Sequence, residues 1–339
     1  MLTAGWFQRH VQVCGGRRDI ALLDVAQEYV LEYLRREGLF DQMLVFKGGT
    51  ALRKYVFGVS GRFSVDLDFS LRQHDPGDAD LVLDLLDGAN FAGVRIALER
   101  RRGPAAQLRL VTDLGPVEVP SAISIRTDAP WLPVRWQAPQ PFAALDRGLA
   151  ADFPRAPVPI PDVREMAAEK IAAFWRRRVA RDLYDLEHLG RALQASFDGP
   201  GIAALAALKI YFDVVDEGLG RIPRSLADVF VCPVTDVAGQ ADLGQLHTKV
   251  YTTAELLAQC QRRYSVLAAL GGEYARLAMT CNARDHRLAE REREELVGRL
   301  SDTWPASARP LSPTESPPPS PSREGAGGSS PDRRNRRRE

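Results

Sequence analysis

Two stretches of the chain decide its fold: Phe46-Lys47-Gly48-Gly49-Thr50-Ala51-Leu52 and, further on, Arg62-Phe63-Ser64-Val65-Asp66-Leu67-Asp68-Phe69. In the first, an apolar run at 43–46 precedes a glycine pair and a helical pattern at 51–57, which predicts a strand, a turn and a helix. The second alternates between apolar and polar side chains, which is typical of a strand. Asp66 and Asp68 therefore share one face of the predicted strand.

Each of the two stretches contains residues that suit a ligand. Two carboxylates at i and i+2 on a strand project side by side and can share hard divalent cations. A glycine pair ahead of a helix lets the backbone approach a phosphate. Either motif alone is common, because acidic residues alternate on many exposed strands and most glycine pairs are ordinary turns. Together, with Thr50 about fifteen residues before the aspartates, they favour a nucleoside triphosphate site with two metal ions.

Composition excludes several classes of protein. The 339 residues are 45% hydrophobic and 26% charged, which allows a sizeable core and about two domains. A formal net charge of +1 gives no global field, so any site for a polyanion must be local. The four cysteines are widely spaced and form no CxxC pair, which argues against a zinc site and a disulfide framework. The first twenty residues contain no apolar stretch, and nowhere do eighteen apolar residues run together. We therefore expect neither secretion nor membrane spanning, but a cytoplasmic protein with reduced thiols.

Pattern changes divide the chain into three parts. Before residue 130 the patterns predict a helix at 19–37, a helix at 81–86 and strands at 94–98, 107–111 and 117–119. Eight prolines between 130 and 161 mark an extended segment and a domain boundary. The predicted parts are an α+β domain at 1–158, a helical domain at 159–300 and a disordered Pro/Ser/Arg-rich tail at 301–339.

The helical part has its own pattern. Helices are predicted at 163–178, 182–195, 201–216, 252–270 and 273–299, with one strand signal at 228–234.

The two opening stretches resemble a known family once a third block is added: Glu169-Lys170, Arg177 and Arg181-Asp182-Leu183-Tyr184-Asp185-Leu186. Together the blocks resemble the AbiEii/AbiGii-type toxin family of the DNA polymerase β-like nucleotidyltransferase superfamily. They span residues 46–188 in the family's order, while 200–339 resemble no family. The resemblance implies an α+β fold: a polymerase-β-like nucleotidyltransferase domain, with a mixed or antiparallel sheet flanked by helices, followed by an all-helical domain.

The resemblance also implies an activity. Such enzymes transfer a nucleotide from an NTP with Mg²⁺, two ions being expected, and release pyrophosphate. They are often the toxic half of a toxin–antitoxin pair, and some members act on the 3′ acceptor end of tRNA. Carried over by position, the metal pair is Asp66 and Asp68, the triphosphate turn is Gly48, Gly49 and Thr50, the preceding hydroxyl is Ser64, and the functional lysine and aspartate of the third signature are Lys170 and Asp182.

The third block also has physical support. If its helix is continuous, one stripe contains Lys170, Phe174, Arg177, Arg181 and Asp185, with Asp182 beside it. A basic stripe suits phosphate, although charged helix faces are usually only solvated. Only five of the 45 basic residues are lysines, and two of those five fall in these blocks.

Two further side chains are candidates for the site. Lys47 could contact phosphate or could cap the edge of the sheet. Glu118 could be the third acidic residue that assists the attacking hydroxyl, since we predict it on a strand neighbouring that of Asp66. It could equally be an ordinary exposed residue.

The leading interpretation is a metal-dependent nucleotidyltransferase toxin that modifies RNA, with tRNA as the expected acceptor, a cognate antitoxin as partner and no membrane. The arginines at 95, 100–102 and 109 could contact the RNA backbone or could be solvated. The alternatives are transfer to a protein or small-molecule hydroxyl, and a non-catalytic nucleotide- or RNA-binding module. Against the last stands the intact aspartate pair, because without catalysis nothing requires two like charges side by side.

Overall fold

The computed structural model describes residues 4–193, 197–239 and 251–302. The tail predicted from residue 301 lies outside these residues except for its first two, which end the last helix. A sheet with helices occupies the first half and helices follow, so the predicted α+β class is confirmed. No helix within the described ranges is both long and apolar enough to cross a membrane.

A mixed sheet forms the centre of the first half. Its strands, in chain order, are β1 Leu44–Lys47, β2 Leu67–Leu71, β3 Asn90–Phe91, β4 Val94–Arg102, β5 Ala105–Thr112, β6 Gly115–Pro116 and β7 Ser121–Arg126. They are ordered β1-β2-β7-β5-β4-β3, with β6 paired to β5. The pair β2 and β7 is parallel and the other pairs are antiparallel. A separate ribbon joins β8 Arg135–Gln137 to β9 Val158–Ile160.

The two faces of the sheet have different surroundings. Along β7, Ile123 and Ile125 are buried, while the alternating residues Ala122 and Ser124 are half-buried. The same alternation along β5 buries Ala106, Leu108 and Leu110. One face therefore packs on the hydrophobic core. We call the opposite side the open face; its members include Asp68, Ala105, Gln107, Arg109, Ala122 and Ser124.

Helices of the first half are α1 Ala4–Val13, α2 Arg18–Arg36, α3 Leu39–Gln42, α4 Gly48–Ala51, α5 Pro76–Leu86 and α6 Ala143–Leu149. Helix α2 confirms the prediction for 19–37. Helix α4 continues as a π-helix over Leu52–Phe57. These wider turns leave the consecutive residues Arg53 and Lys54 both buried, and both form ion pairs with Asp24.

Helices of the second half are α7 Val163–Arg177, α8 Ala180–Leu193, α9 Gly199–Val215, α10 Thr253–Arg263, α11 Val266–Ala269, α12 Gly272–Thr280 and α13 His286–Asp302. The strand predicted at 228–234 is wrong. This segment contains 3₁₀ turns at Leu226–Val229 and Val234–Asp236. A capping box between Ser225 and Asp228 stabilises the first turn, and Pro233 lacks the N–H that a strand ladder would use.

A single hydrophobic cluster extends through both halves. It includes Phe46 and Phe69 from the sheet and Phe174, Leu186 and Tyr211 from the helices. The domain boundary at 158/159 stays a prediction. All four cysteines are free thiols, as expected.

Candidate active site

The glycine turn lies directly against the aspartates. Strand β1 ends at Lys47, which is opposite Asp68 in the antiparallel pair with β2. Gly48 has a φ of +77°, and a Cβ atom there would lie 2.2 Å from Oδ2 of Asp68. A Cβ on Gly49 would lie 2.8 Å from Oγ of Ser64. Only glycine fits both positions without displacing a neighbour, so the two motifs form one unit.

Strand β7 holds both carboxylates in place. The Ser124 hydroxyl donates to Oδ1 of Asp68 at 2.7 Å, and the Ala122 N–H donates to Oδ1 of Asp66 at 3.1 Å. The Thr50 hydroxyl donates to the backbone carbonyl of Asp66 at 2.5 Å. We predicted both aspartates within one strand, but β2 begins at Leu67. The ladder stops there because the Asp66 side chain takes the backbone donor of Ala122.

The two aspartates fit a divalent cation. Burial raises the pKa of Asp66, and the neighbouring charge of Asp68 raises this pKa further. Among the described residues, no hydrogen bond involves Oδ2 of either side chain. No group of three or more His, Cys, Asp or Glu side chains in that part of the chain could hold a metal. The donor set therefore suits Mg²⁺ that takes its remaining ligands from phosphate and water.

Behind the carboxylates lies an ion cluster that consists of the buried Arg62, Asp182 and Asp185, the half-buried Lys170 and the exposed Arg177. Lys170 Nζ is 2.8 Å from Asp185 Oδ2 and 3.5 Å from Asp182 Oδ1. Arg62 donates two hydrogen bonds to Asp185, and Arg177 donates two to Asp182. Burial alone would raise the pKa of Asp185, but Arg62 and Lys170 lower it to about 2. Three cations against two anions leave the cluster with a formal charge of +1.

A break between α7 and α8 builds this cluster. Arg178 adopts a left-handed conformation with a φ of +49° and ends α7. The stripe required one continuous helix and therefore does not form, whereas the two helices predicted at 163–178 and 182–195 correspond to α7 and α8. Phe174 is fully buried. The break lets Asp182 and Asp185 of α8 pack against Lys170 of α7, instead of following it along one helix.

A cavity of about 590 Å³ opens between the open face of the sheet, helix α7 and helix α9. Lys47, Gly48, Asp68 and Lys170 line it, as do Trp131 and Phe212. This volume is typical of sites for small molecules and cofactors. The glycine turn with Asp68 and the aromatic pair are thus parts of one space.

Two lysines in the wall of this cavity contact the same glutamate. Lys47 Nζ lies 2.9 Å from Oε1 of Glu169, and Lys209 Nζ lies 3.3 Å from the same atom. Burial would raise the pKa of Glu169, but the two lysines lower it to about 2. Lys209 also lies 4.0 Å from the centre of the Trp131 ring. Three of the five lysines, those at 47, 170 and 209, line this cavity.

Most of the predicted site residues meet here. Lys47, Gly48, Asp68 and Lys170 line the cavity; Asp66, Gly49, Thr50 and Ser64 contact these residues or one another; and Asp182 pairs with Lys170. Sequence reasoning did not find Ser124, Glu169 as a partner of Lys47, or Lys209. Only the scarcity of lysine could have indicated Lys209.

Glu118 lies elsewhere, and its predicted strand is wrong. It is exposed in the segment between β6 and β7, because the pairing of β6 ends at Pro116. It lines a separate depression with Arg17, Asp19 and Val65. Glu118 therefore does not join Asp66 and Asp68 as a third carboxylate in this structure.

An α+β fold with a glycine turn packed against paired aspartates and a cationic cavity is that of a nucleotidyltransferase. The chain matches the family described as nucleotidyl transferase AbiEii toxin, type IV TA system, over residues 31–318. It belongs to this family and is a nucleotidyltransferase toxin of a type IV toxin–antitoxin system.

Three solved structures are similar to the chain, and the first of them agrees with the family. The chain is similar to MenT4, a nucleotidyltransferase toxin from Mycobacterium tuberculosis H37Rv, with 33% identity and a TM-score of 0.77 over 87% of this chain and 99% of that one. A putative nucleotidyltransferase from H. pylori has 22% identity and a TM-score of 0.41, covering 73% and 99% of the two chains. JHP933 from Helicobacter pylori has 21% identity and a TM-score of 0.38, covering 71% of this chain and 93% of that one. Comparison with curated proteins finds no match.

Proposed function

We propose that the cavity binds an NTP and that the enzyme transfers its nucleotide to RNA, with the 3′ end of tRNA as acceptor. The contact between Gly48 and Asp68 at one end of a lysine-lined cavity is the observation that carries this proposal. The proposal places this reaction in the cytoplasm, with a cognate antitoxin as the protein partner.

The triphosphate would lie at the end formed by Gly48 and Asp68. Gly48 carries no side chain of its own, is half-buried and lines the cavity, so phosphate oxygens can approach its backbone. Lys170 and Arg177 line the same part of the cavity and supply positive charge. The +1 charge of the ion cluster adds to the attraction for a polyanion.

Roles for the other side chains follow from their contacts. Ser124 and Thr50 fix the positions of Asp68 and Asp66 through the hydrogen bonds described above. Mg²⁺ held by Asp66 and Asp68 would neutralise phosphate oxygens and make the α-phosphorus a better electrophile. Asp182 and Asp185 pair with Lys170 and so fix the position of its amino group.

The nucleobase would lie at the other end of the cavity. The rings of Trp131 and Phe212 have centroids 5.6 Å apart in an edge-to-face arrangement. Arg293 lies 5.4 Å from the Phe212 ring centre. Aromatic and guanidinium planes are common surfaces for stacking a base.

Ion pairs in the wall argue against a cationic small molecule as acceptor. Asp128 and Glu217 pair with Arg126, and Asp213 pairs with Arg176. Two arginines of the protein therefore offset two of these three negative charges. A drug-like cation would need acidic groups that are not paired in this way.

Label transfer tests the proposal. Purified protein is incubated with each α-³²P-labelled NTP, Mg²⁺ and total RNA, next to the double variant Asp66→Asn, Asp68→Asn. A matched control, Glu37→Gln with Asp41→Asn, removes two exposed charges of the same sign. We expect label on tRNA-sized RNA with the wild type and the control only.

Other outcomes of this experiment would contradict the proposal. Label on polypeptide would make protein the acceptor. Binding of NTP without transfer to any hydroxyl compound would indicate a non-catalytic module.

A further inference from the structure

A row of directly opposed residues crosses the open face of the sheet, starting at the site. Lys47 is opposite Asp68, Asp68 is opposite Ser124, Ser124 is opposite Ala105, and Ala105 is opposite Arg102. Side chains of directly opposed residues project from the same face of a sheet. Arg102 therefore lies on the same face as Asp68, three strand spacings away, which is roughly 14 Å.

A bulge in β4 puts Arg102 in this row. Between the pairs Glu99–Gln107 and Arg102–Ala105, β4 has one residue more than β5. The extra residue coincides with Arg100, whose φ of +50° is unusual for a side chain other than glycine. Arg101 pairs instead with Asp80 and Asp84 of α5. Because of the bulge, Arg101 pairs with α5, while Arg102 lies on the open face.

The neighbouring rows continue the same surface. Gln107 is opposite both Ala122 and Glu99, Ala97 is opposite Arg109, and Val111 is opposite Arg95. The floor consists of the half-buried side chains of Ala97, Ala105 and Ala122, while the three arginines are exposed. We call this surface the arginine face; it consists of Arg95, Ala97, Arg102, Ala105, Gln107 and Arg109.

The arginine face is available to a polyanion. Within the described ranges, neither Arg95 nor Arg102 forms an ion pair. Arg109 pairs with Glu99 at 3.1 Å, but both side chains are largely exposed, and such pairs contribute little. The face exposes no large apolar side chain, whereas protein interfaces are usually centred on buried aromatic or aliphatic anchors.

We propose that the arginine face binds the phosphate backbone of the RNA acceptor and so brings its 3′ end to Asp68. This inference rests on the proposed function, since it assumes RNA as the acceptor. A distance of roughly 14 Å corresponds to about four nucleotides at 3.4 Å rise per nucleotide of one strand. Arg102 would thus contact phosphates close to the reacting hydroxyl, and Arg95 and Arg109 phosphates farther away.

The test compares two triple variants of the full chain. In the first, Arg95, Arg102 and Arg109 are changed to serine. The control changes the exposed arginines Arg9, Arg147 and Arg262 to serine, which removes the same charge from residues that do not line the cavity. Thermal unfolding of both variants establishes that they fold.

Binding of fluorescein-labelled tRNA is measured by anisotropy at several salt concentrations, and transfer is measured against RNA and NTP concentration. For the first variant we expect a Kd and a KM for RNA at least about tenfold higher, with kcat and the KM for NTP within twofold of wild type. The slope of log K against log salt should fall by about two, since each phosphate contact contributes about 0.7–0.9. The control should resemble the wild type.

Three outcomes would overturn the inference. The first is a KM for RNA equal to that of the control while the wild type transfers nucleotides to RNA; this leaves the proposed function intact. The second is equal tRNA binding by both variants. The third is competition by polyglutamate that is as strong as that by RNA of equal charge, which would indicate an acidic protein as the partner. If the wild type transfers nothing to RNA, the proposed function fails, whereas the anisotropy still tests the surface.

Discussion

Gly48 and Asp68 are so close that a methyl group on the glycine would lie 2.2 Å from Oδ2 of the aspartate. The turn after β1 and the carboxylate of β2 are therefore positioned by each other. Ser124 fixes the same carboxylate from the other side through a 2.7 Å hydrogen bond. A triphosphate and its metal ions would meet these groups in one place, which is the arrangement that nucleotidyl transfer requires.

Gly48→Ala should abolish activity without preventing folding. At a φ of +77° an alanine costs about 1–2 kcal/mol of stability, and its methyl group would also displace Asp68. We expect nucleotide transfer to fall by about 100-fold or more, because displacements near 1 Å cost about this much in an active site.

Gly88→Ala is the matched control for this variant. Gly88 has a φ of +81° and open space around the position of a Cβ atom. Both alanine variants should lose the stability that a left-handed backbone costs, and Gly48→Ala should lose more in chemical denaturation because it also displaces Asp68. Only Gly88→Ala should keep its activity. Equal activity of the two variants would show that the contact with Asp68 is not needed.

Asp66→Asn should be more heat-stable than the wild type in EDTA at neutral pH. Burial and Asp68 raise the pKa of Asp66 in the folded state. The associated stability is therefore present below the unfolded pKa and is lost as the pH rises through the folded pKa. Asparagine removes the charge and keeps the oxygen that accepts from Ala122.

In the presence of Mg²⁺ and an NTP, the wild type should be more heat-stable than Asp66→Asn, since only the wild type would gain stability from the ions. Scanning fluorimetry with and without metal measures both effects, with Asp41→Asn as an exposed control. An Asp66→Asn protein that melts below the wild type in EDTA, or that gains as much from Mg²⁺, would refute the metal role.

Asp185→Asn should flatten the dependence of stability on acid pH. The pKa of Asp185 is lowered from 3.8 to about 2 by Arg62 and Lys170, against the effect of burial. Its contribution is present above the unfolded pKa and is lost as the pH falls through about 2. The shift corresponds to about 2 kcal/mol at pH 7.

Urea denaturation at pH 7 and between pH 4 and 2 measures this contribution. The variant should be destabilised by about 2 kcal/mol or more at pH 7, because Arg62 and Lys170 lose a buried partner. The difference from the wild type should shrink towards pH 2. A constant difference over this range would mean that the ion pairs do not control the titration of Asp185.

Phe212→Ala should weaken NTP binding more than catalysis. If the base stacks at the aromatic end of the cavity, its loss costs about 1–3 kcal/mol of binding. We expect the KM for NTP to rise about tenfold with kcat nearly unchanged, as for an interaction made equally in the ground and transition states. Phe91→Ala removes a half-buried ring outside the cavity and should leave both constants unchanged.

The sequence predicts the local parts of the site well. Strand and turn patterns are enough to predict a glycine turn that is followed by two aspartates. Both motifs meet in the structure as expected. Glu118 shows where this reasoning stops. Alternation of apolar residues around it suggested a strand, but the strand that pairs with β2 begins at Ser121 and contributes Ser124 instead.

Long-range ion pairs explain most of what the sequence could not show. Arg62 meets Asp185 across 123 positions of the chain, and Lys47 meets Glu169 across 122. Neither pair has a local signal, because the contact depends on how α7 and α8 pack against the sheet. The break near Arg178 is different, since the pattern already predicts two helices, at 163–178 and 182–195. What the sequence does not show is the left-handed conformation of this non-glycine residue.

The central claim is that this site transfers nucleotides to the 3′-terminal hydroxyl of tRNA. It is tested most directly by giving the enzyme Mg²⁺, α-³²P-labelled NTPs and two samples of one tRNA, one intact and one oxidised with periodate at its terminal diol. We predict label on the intact tRNA alone, and none with the Asp66→Asn, Asp68→Asn variant. Equal labelling of the oxidised tRNA, or labelling by the double variant, would contradict the claim.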